Sequence, residues 1–313
     1  MDPRRETALA LAAAAPFVSW GAWCLARGER RWEVIALMVL TPTLALGGAR
    51  ARRLLWGTFP MLLVAIFYDA MRFVKHLGIT PDRVHVCDLR ALEARLFGDG
   101  TSTVHDWIQR RSVLALDLLG AIPYGTFLFT VIAAAFWLAY AHRPALLRIA
   151  WAFFFVNLAS FAVHHLYPSA PPWYFHAYGC AVDVSVGPSE GPNLARVDLA
   201  LGYPYFHGLY ARSQDVFGAV PSLHVGYPLL ILRAGWDHFS PAVRGLAMGY
   251  AALMAFAAVW LDHHWIVDLA LGVVFALAAD YLAVALVRGV AMDAASVPPA
   301  AVRVPAVSGT SRT

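Results

Sequence analysis

Two short stretches carry the residue types from which a reaction centre is built. "VPSLHVGYPLL" at residues 220–230 sets Ser222 and His224 at the head of an apolar run, and "LDHHWIVDLALG" at residues 261–272 sets His264 and Asp268 at the head of another. Pro221 suits the first turn of a helix, which would leave Ser222 and His224 beside backbone N–H groups that favour an anion. His264 and Asp268 are four apart, so on a helix they share one face about one turn apart. An acid in that position fixes the tautomer of the imidazole and stabilises its protonated form. Two histidines at the ends of different helices then converge on one phosphate. Zinc is the competing chemistry, because the "DHH" stretch with Asp268 offers plausible ligands, although the His264–Asp268 pair lacks a clear third ligand. His164, His165, His176, His207 and His263 read as solvated or capping residues. Asp268 does not, since an ionisable group inside a spanning segment is expensive and usually marks a site.

The elements that must position these residues are membrane helices. Of 313 residues, 60% are hydrophobic and 14% are charged, against about a quarter charged in soluble domains. The net charge is +4, and the arginines cluster between apolar runs, as topology signals do and a nucleic-acid footprint does not. Apolar runs near 8–26, 33–49, 54–75, 117–141, 146–167, 220–237, 242–261 and 265–288 predict an all-α, polytopic integral membrane helix bundle of about eight spans. The first run follows Arg4 and Arg5 but lacks a clean cleavage site, so it is expected to remain as a helix. Within 84–98, "VHVCDLRALEARLFG", Leu89, Leu92 and Leu96 recur at helical spacing against Arg90, Glu93 and Arg95, which predicts an amphipathic helix on the membrane surface. The aromatic-rich connection 168–219 is expected to be ordered, and the tail 289–313 to be disordered. Cys24, Cys87 and Cys180 have no metal spacing, and Cys87 with Cys180 allows one disulfide. The excess of arginine on one set of loops puts both termini in the cytoplasm, and the "PSLH" and "DHH" stretches together on the outer side.

"PSLH", "HHWIVD" some forty residues later, and "YPSAPPWY" upstream together resemble the type-2 phosphatidic acid phosphatase superfamily. The likeness is closest to the branch of inositol phosphorylceramide synthases and related bacterial membrane proteins. It extends over residues 54–288, including "YDAMR" and "VHVCDLRALEARLFG". The resemblance implies a six-helix catalytic core at 54–288 preceded by two extra helices at 1–53. It implies His264 as the nucleophile, giving a phosphohistidine, Asp268 as the acid that orients it, and His224 as the general acid and then base. Ser222 would help to bind the substrate, with Trp173 and Tyr174 as a wall of the headgroup pocket. The sequence departs from the phosphatases at Leu223, where they carry glycine, and at Ala258, where they carry arginine; "APPWY" stands in place of their lysine-and-arginine motif. A phosphodiester has one charge where a terminal phosphate has about two, so fewer cations suit a phosphotransferase. Arg72, Lys75, Arg196 and Arg212 are the candidates to replace them, each equally readable as an interfacial anchor or a solvated charge. The implied reaction moves a phospho-headgroup, such as phosphoinositol, from a glycerophospholipid donor to a ceramide-like hydroxyl and releases diacylglycerol, with no cofactor or metal. A hydrolase using water as acceptor, and a non-catalytic lipid transporter, are the alternatives. The implied location is a bacterial inner membrane with the site on its outer face.

Overall fold

The computed structural model describes residues 2–74, 77–213 and 216–296, so Lys75 and residues 297–313 of the tail expected to be disordered lie outside the described residues, while 289–296 of that tail continue a helix. Thirteen α-helices and no strand are found among them. They are α1 Pro3–Ala26, α2 Trp32–Leu46, α3 Ala49–Val74, α4 Cys87–Phe97, α5 Val104–Gln109, α6 Leu114–Ala141, α7 Arg143–Leu166, α8 Pro172–Tyr178, α9 Gly191–Leu201, α10 Tyr205–Tyr210, α11 Leu223–Gly235, α12 Pro241–Trp260 and α13 Ile266–Ser296.

A helix appears at each of the eight apolar runs, and six of them are long and apolar enough to cross a bilayer. The other two are shorter. α2 has 15 residues and α11 has 13, so at 1.5 Å per residue α11 covers about 20 Å of a hydrocarbon core about 30 Å thick. Val220, Pro221 and Ser222, just before α11, are buried in the bundle, and the helix begins at Leu223, later than the apolar pattern predicts. Pro221 lies before the N-cap Ser222 and not in the first turn.

α7 is the hub, packed against α3, α6, α11 and α13. Val64, Val131, Val156, Tyr227 and Ala276, from α3, α6, α7, α11 and α13 respectively, share one buried cluster. Ala152, Ala276, Ala279 and Ala283 are all buried where α7, α11 and α13 meet. Small residues let helices approach closely where lipid supplies no hydrophobic drive for them to associate. α1 and α2 pack on each other and on α3. There Asp69 accepts from Trp20 Nε1 at 2.9 Å and pairs with Arg31 at 3.0 Å and Arg72 at 3.1 Å.

The described residues of the 168–219 connection are structured, as the aromatic content of that connection predicts. α8, α9 and α10 lie within 168–219, and backbone bridges tie His85 to Ser169 and Ser169 to Gly218. Cys87 at the start of α4 is disulfide-bonded to Cys180 after α8. α4 does not divide as its pattern predicts: Leu89 is buried together with Glu93 and Ala94, while Leu92 and Leu96 are exposed alongside Arg95. At the other end of the bundle Arg148 grips buried Asp280 with two hydrogen bonds of 2.6 and 2.7 Å, and Arg233 adds a third of 3.0 Å. These two arginines, read from sequence as topology signals, also clasp α7 and α11 to α13.

Removing one partner of a buried ion pair leaves uncompensated charge and costs about 3–5 kcal/mol. Asp280→Ala is therefore expected to lower the thermal unfolding midpoint in detergent markedly, read by loss of monodisperse protein after heating, with turnover per folded molecule retained.

Candidate active site

Two helix starts meet at the end of the bundle. Ser222 is the N-cap of α11, and its N–H donates to the carbonyl of Asp268 at 3.0 Å. α13 comes this close because Gly272 has no side chain: a Cβ there would stand 2.3 Å from the Ser222 carbonyl oxygen. The crossing sets His224, in the first turn of α11, beside His264, which lies in the turn two residues before α13.

The imidazoles touch. His224 Nδ1 is 3.0 Å from His264 Nε2, and His264 Nδ1 is 2.9 Å from the carbonyl oxygen of Ala219. A carbonyl only accepts, so His264 carries a proton on Nδ1, and the neutral form of the ring turns the lone pair of its Nε2 to His224. In the resting pair His224 Nδ1–H then donates to that lone pair. Asp268 Oδ2 lies 3.5 Å from His264 Nδ1 and accepts from the N–H of Trp265 at 2.9 Å. The tautomer is thus fixed chiefly by Ala219, while Asp268 supplies a nearby negative charge. The other oxygen, Asp268 Oδ1, and the hydroxyl of Ser222 are buried without a hydrogen-bond partner among the described residues. Such groups call for a ligand or water. Ser222 makes no side-chain capping bond, so the first N–H groups of α11 receive no acceptor from it. By contrast, Glu93 of α4 accepts from the N–H groups of Ile266 and Val267 at 2.9 and 3.2 Å, closing the start of α13 to an anion. The start of α11 has no such carboxylate cap.

The "DHH" turn does not gather metal ligands. Asp262 bonds to His105 and His176. His263 is pulled down to about 3 by burial and by His264 beside it, so it is neutral and donates Nε2–H to the Glu190 carbonyl at 2.9 Å.

The structure brings together His224, His264, Asp268 and Ser222 of the residues singled out by sequence. It holds the others elsewhere. Trp173 packs behind the turn, its N–H donating to the Asp262 carbonyl at 2.9 Å and its ring against Gly191. Tyr174 is fully buried; its hydroxyl accepts from the Asp183 N–H at 2.8 Å and meets the Ala181 carbonyl at 3.3 Å. These two rings are therefore framework in the loop and not the stacking wall that the resemblance implies. Arg72 pairs with Asp69 and Glu29, Arg196 with Asp117, and Arg212 reaches Glu33 of α2. Among the site residues that escaped the sequence reading is an aromatic ring. Tyr124 of α6 stacks flat on His224, with ring centroids 4.3 Å apart and planes 8° apart, and its buried hydroxyl lacks a partner among the described residues. A single tyrosine in an apolar helix has no spacing that marks it out.

The family model of the PAP2 superfamily matches residues 87–282, a stretch that contains both helix starts and α4. The chain is 30% identical over 296 residues to phosphoinositol dihydroceramide synthase of Bacteroides thetaiotaomicron, covering 88% of this chain and 91% of that protein. It is 28% identical over 224 residues to the catalytic subunit of inositol phosphorylceramide synthase of Schizosaccharomyces pombe, covering 70% of this chain and 52% of that one. It is also 32% identical over 193 residues to inositol phosphorylceramide synthase of Candida albicans, covering 60% of this chain and 40% of that one. No solved structure matches. The expected resemblance thus holds over the residues that build the histidine pair, and this multi-pass helical membrane protein belongs to the PAP2 superfamily.

Proposed function

We propose that this protein transfers phosphoinositol from phosphatidylinositol to the hydroxyl of a ceramide-type lipid, releasing diacylglycerol, by two displacements at His264. The observation that carries the reading is the fixed Nε2 lone pair of His264, 3.0 Å from a second imidazole. Similarity to synthases of phosphoinositol ceramides supports the choice of donor and acceptor.

Phosphorus cannot enter a 3.0 Å gap, so the arriving phosphodiester parts the rings and lies between them. The Nε2 lone pair attacks phosphorus as the bond to the diacylglycerol oxygen breaks, and that oxygen leaves with the electron pair. His224 delivers a proton to it. A neutral imidazole would have to become an imidazolate to do so, so His224 must be cationic at this step, a state favoured by the anionic phosphodiester beside it. Phosphorylation places positive charge on the His264 ring, where the Ala219 carbonyl and the Asp268 carboxylate stabilise it. The acceptor hydroxyl then gives its proton to His224 and attacks phosphorus, and the P–N bond breaks to restore the lone pair. Dividing the transfer in this way replaces one difficult step by two easier ones.

Ala258, where the phosphatases carry arginine, is fully buried, and its carbonyl accepts from the N–H groups of His263 and His264 at 3.2 and 3.0 Å. No cation is held at that position, which suits a donor bearing a single charge. We place the site on the extracytoplasmic face of the membrane. The Cys87–Cys180 disulfide on the site's side of the bundle supports this, because such bonds persist in oxidising compartments.

Purified protein in detergent with EDTA, given a fluorescent ceramide and a series of phospholipids, is expected to make a new phosphosphingolipid and diacylglycerol with phosphatidylinositol. Phosphorylated headgroup without lipid product would show water as acceptor, and no turnover of any donor would overturn the enzyme reading. His264→Ala should abolish product. Asp268→Asn, which keeps the shape and removes the charge, should lower kcat roughly 10²- to 10⁴-fold.

A further inference from the structure

The turn that presents His264 is braced from behind by an acid the transfer does not use. Asp262 is fully buried and has φ 66°, the one described non-glycine residue in the left-handed region. Such a conformation persists where the surroundings over-determine it. Here they do. The backbone N–H of Asp262 donates to the Val259 carbonyl at 3.1 Å, and its carbonyl accepts from Trp173 at 2.9 Å. Its carboxylate meets His105 Nδ1 at 3.0 Å through Oδ1 and His176 Nδ1 at 2.6 Å through Oδ2.

The chain of charge continues outward. His176 Nε2 lies 3.1 Å from Asp106 Oδ1, and Asp106 Oδ2 accepts from Arg90 at 2.7 Å. His176 therefore has a carboxylate oxygen at each ring nitrogen. Both oxygens accept, so both nitrogens carry protons and the ring is an imidazolium. Arg90 and His176 then face Asp106 and Asp262 as cations to carboxylates, and the buried Nε2 of His105 is unpartnered among the described residues. The brace runs from α4 through α5 and α8 to the residue two before the nucleophile.

We propose that Asp262 is a positioning residue for the transfer: its charge, balanced by the imidazolium of His176, holds the turn that aims His264 Nε2 at phosphorus. The inference rests on the transfer reading above. Burial lowers the affinity of His176 for its proton, but the hydrogen bonds and charges of Asp262 and Asp106 outweigh it, and the net shift is upward. Burial likewise pushes both carboxyls up, and their hydrogen bonds hold them below the usual carboxylate range. They stay charged as His176 titrates. For a group raised on folding, the stabilisation is complete below its ordinary value near 6.5 and is lost as pH rises through the raised one. The brace thus weakens on the alkaline side.

The test uses Asp262→Asn, which keeps the shape at a conformation that asparagine tolerates, and His176→Gln, which alters a less buried ring. The rate of phosphosphingolipid formation is measured against pH, with kcat and KM separated and folding checked by unfolding midpoint. Asp262→Asn should lower kcat roughly 10- to 100-fold with donor KM little changed, and should move the alkaline limb of kcat to lower pH. His176→Gln should lower kcat as well, and the double variant should be no slower than the slower single one. Wild-type kcat in Asp262→Asn, or a loss that falls on KM and leaves the alkaline limb in place, would overturn the positioning role while leaving the transfer reading intact. No product from the wild-type protein would overturn that reading, and this inference with it.

Discussion

The backbone contact between Gly272 and Ser222 sets the geometry on which everything else in the site depends. Two helices that begin at the same level normally stand a side chain apart. Here α13 lies directly on the carbonyl of Ser222, closer than any Cβ would allow, and the Ser222 N–H closes the contact by donating to Asp268. The histidines flanking this crossing, one inside the first turn of α11 and one just outside α13, are thereby brought to 3.0 Å. The short length of α11 belongs to the same arrangement, because its start must sink into the bundle to meet α13.

A site at the lipid boundary must also satisfy its own polar backbone, since hydrocarbon offers no hydrogen bonds. The segments between α3 and α6 and between α7 and α11 do this for the catalytic turn. Glu93 of α4 accepts from two N–H groups at the start of α13 and the Ala219 carbonyl accepts from His264 Nδ1–H, while outside those segments Ala258 of α12 accepts from the two N–H groups of the "HH" pair. The disulfide between Cys87 and Cys180 joins the two segments covalently. The hydroxyl of Ser222 and one oxygen of Asp268, both buried, are left without a partner among the described residues.

The bundle and the residues that meet where α11 and α13 begin were legible in the sequence because each has a local signature. Apolar runs of spanning length mark α1, α3, α6, α7, α12 and α13, and polar residues at the heads of such runs mark His224, His264 and Asp268. The supporting residues were not legible, because their partners are distant in the chain. Asp262 meets His105 across 157 positions, and Glu93 meets Ile266 across 173. Seen alone, His176 reads as a solvated ring and Glu93 as a charge on the outer face of an amphipathic helix. Trp173 and Tyr174 misled for a related reason: aromatic residues beside prolines suit a pocket wall and a loop core equally, and only tertiary packing decides between them. Ala219 could not have been singled out at all, since it acts through its carbonyl.

The central claim is that the His264 Nε2 lone pair forms a covalent bond to phosphorus. It is tested most directly by briefly mixing purified protein with donor carrying radiolabelled phosphorus, in the absence of any acceptor, and quenching in alkali. Label bound to protein, stable to base and released by acid, and located by mass spectrometry on the peptide containing His264, is the predicted result. Efficient transfer when acceptor is present, with no labelled protein when it is absent, would contradict the account and favour direct attack by the acceptor hydroxyl.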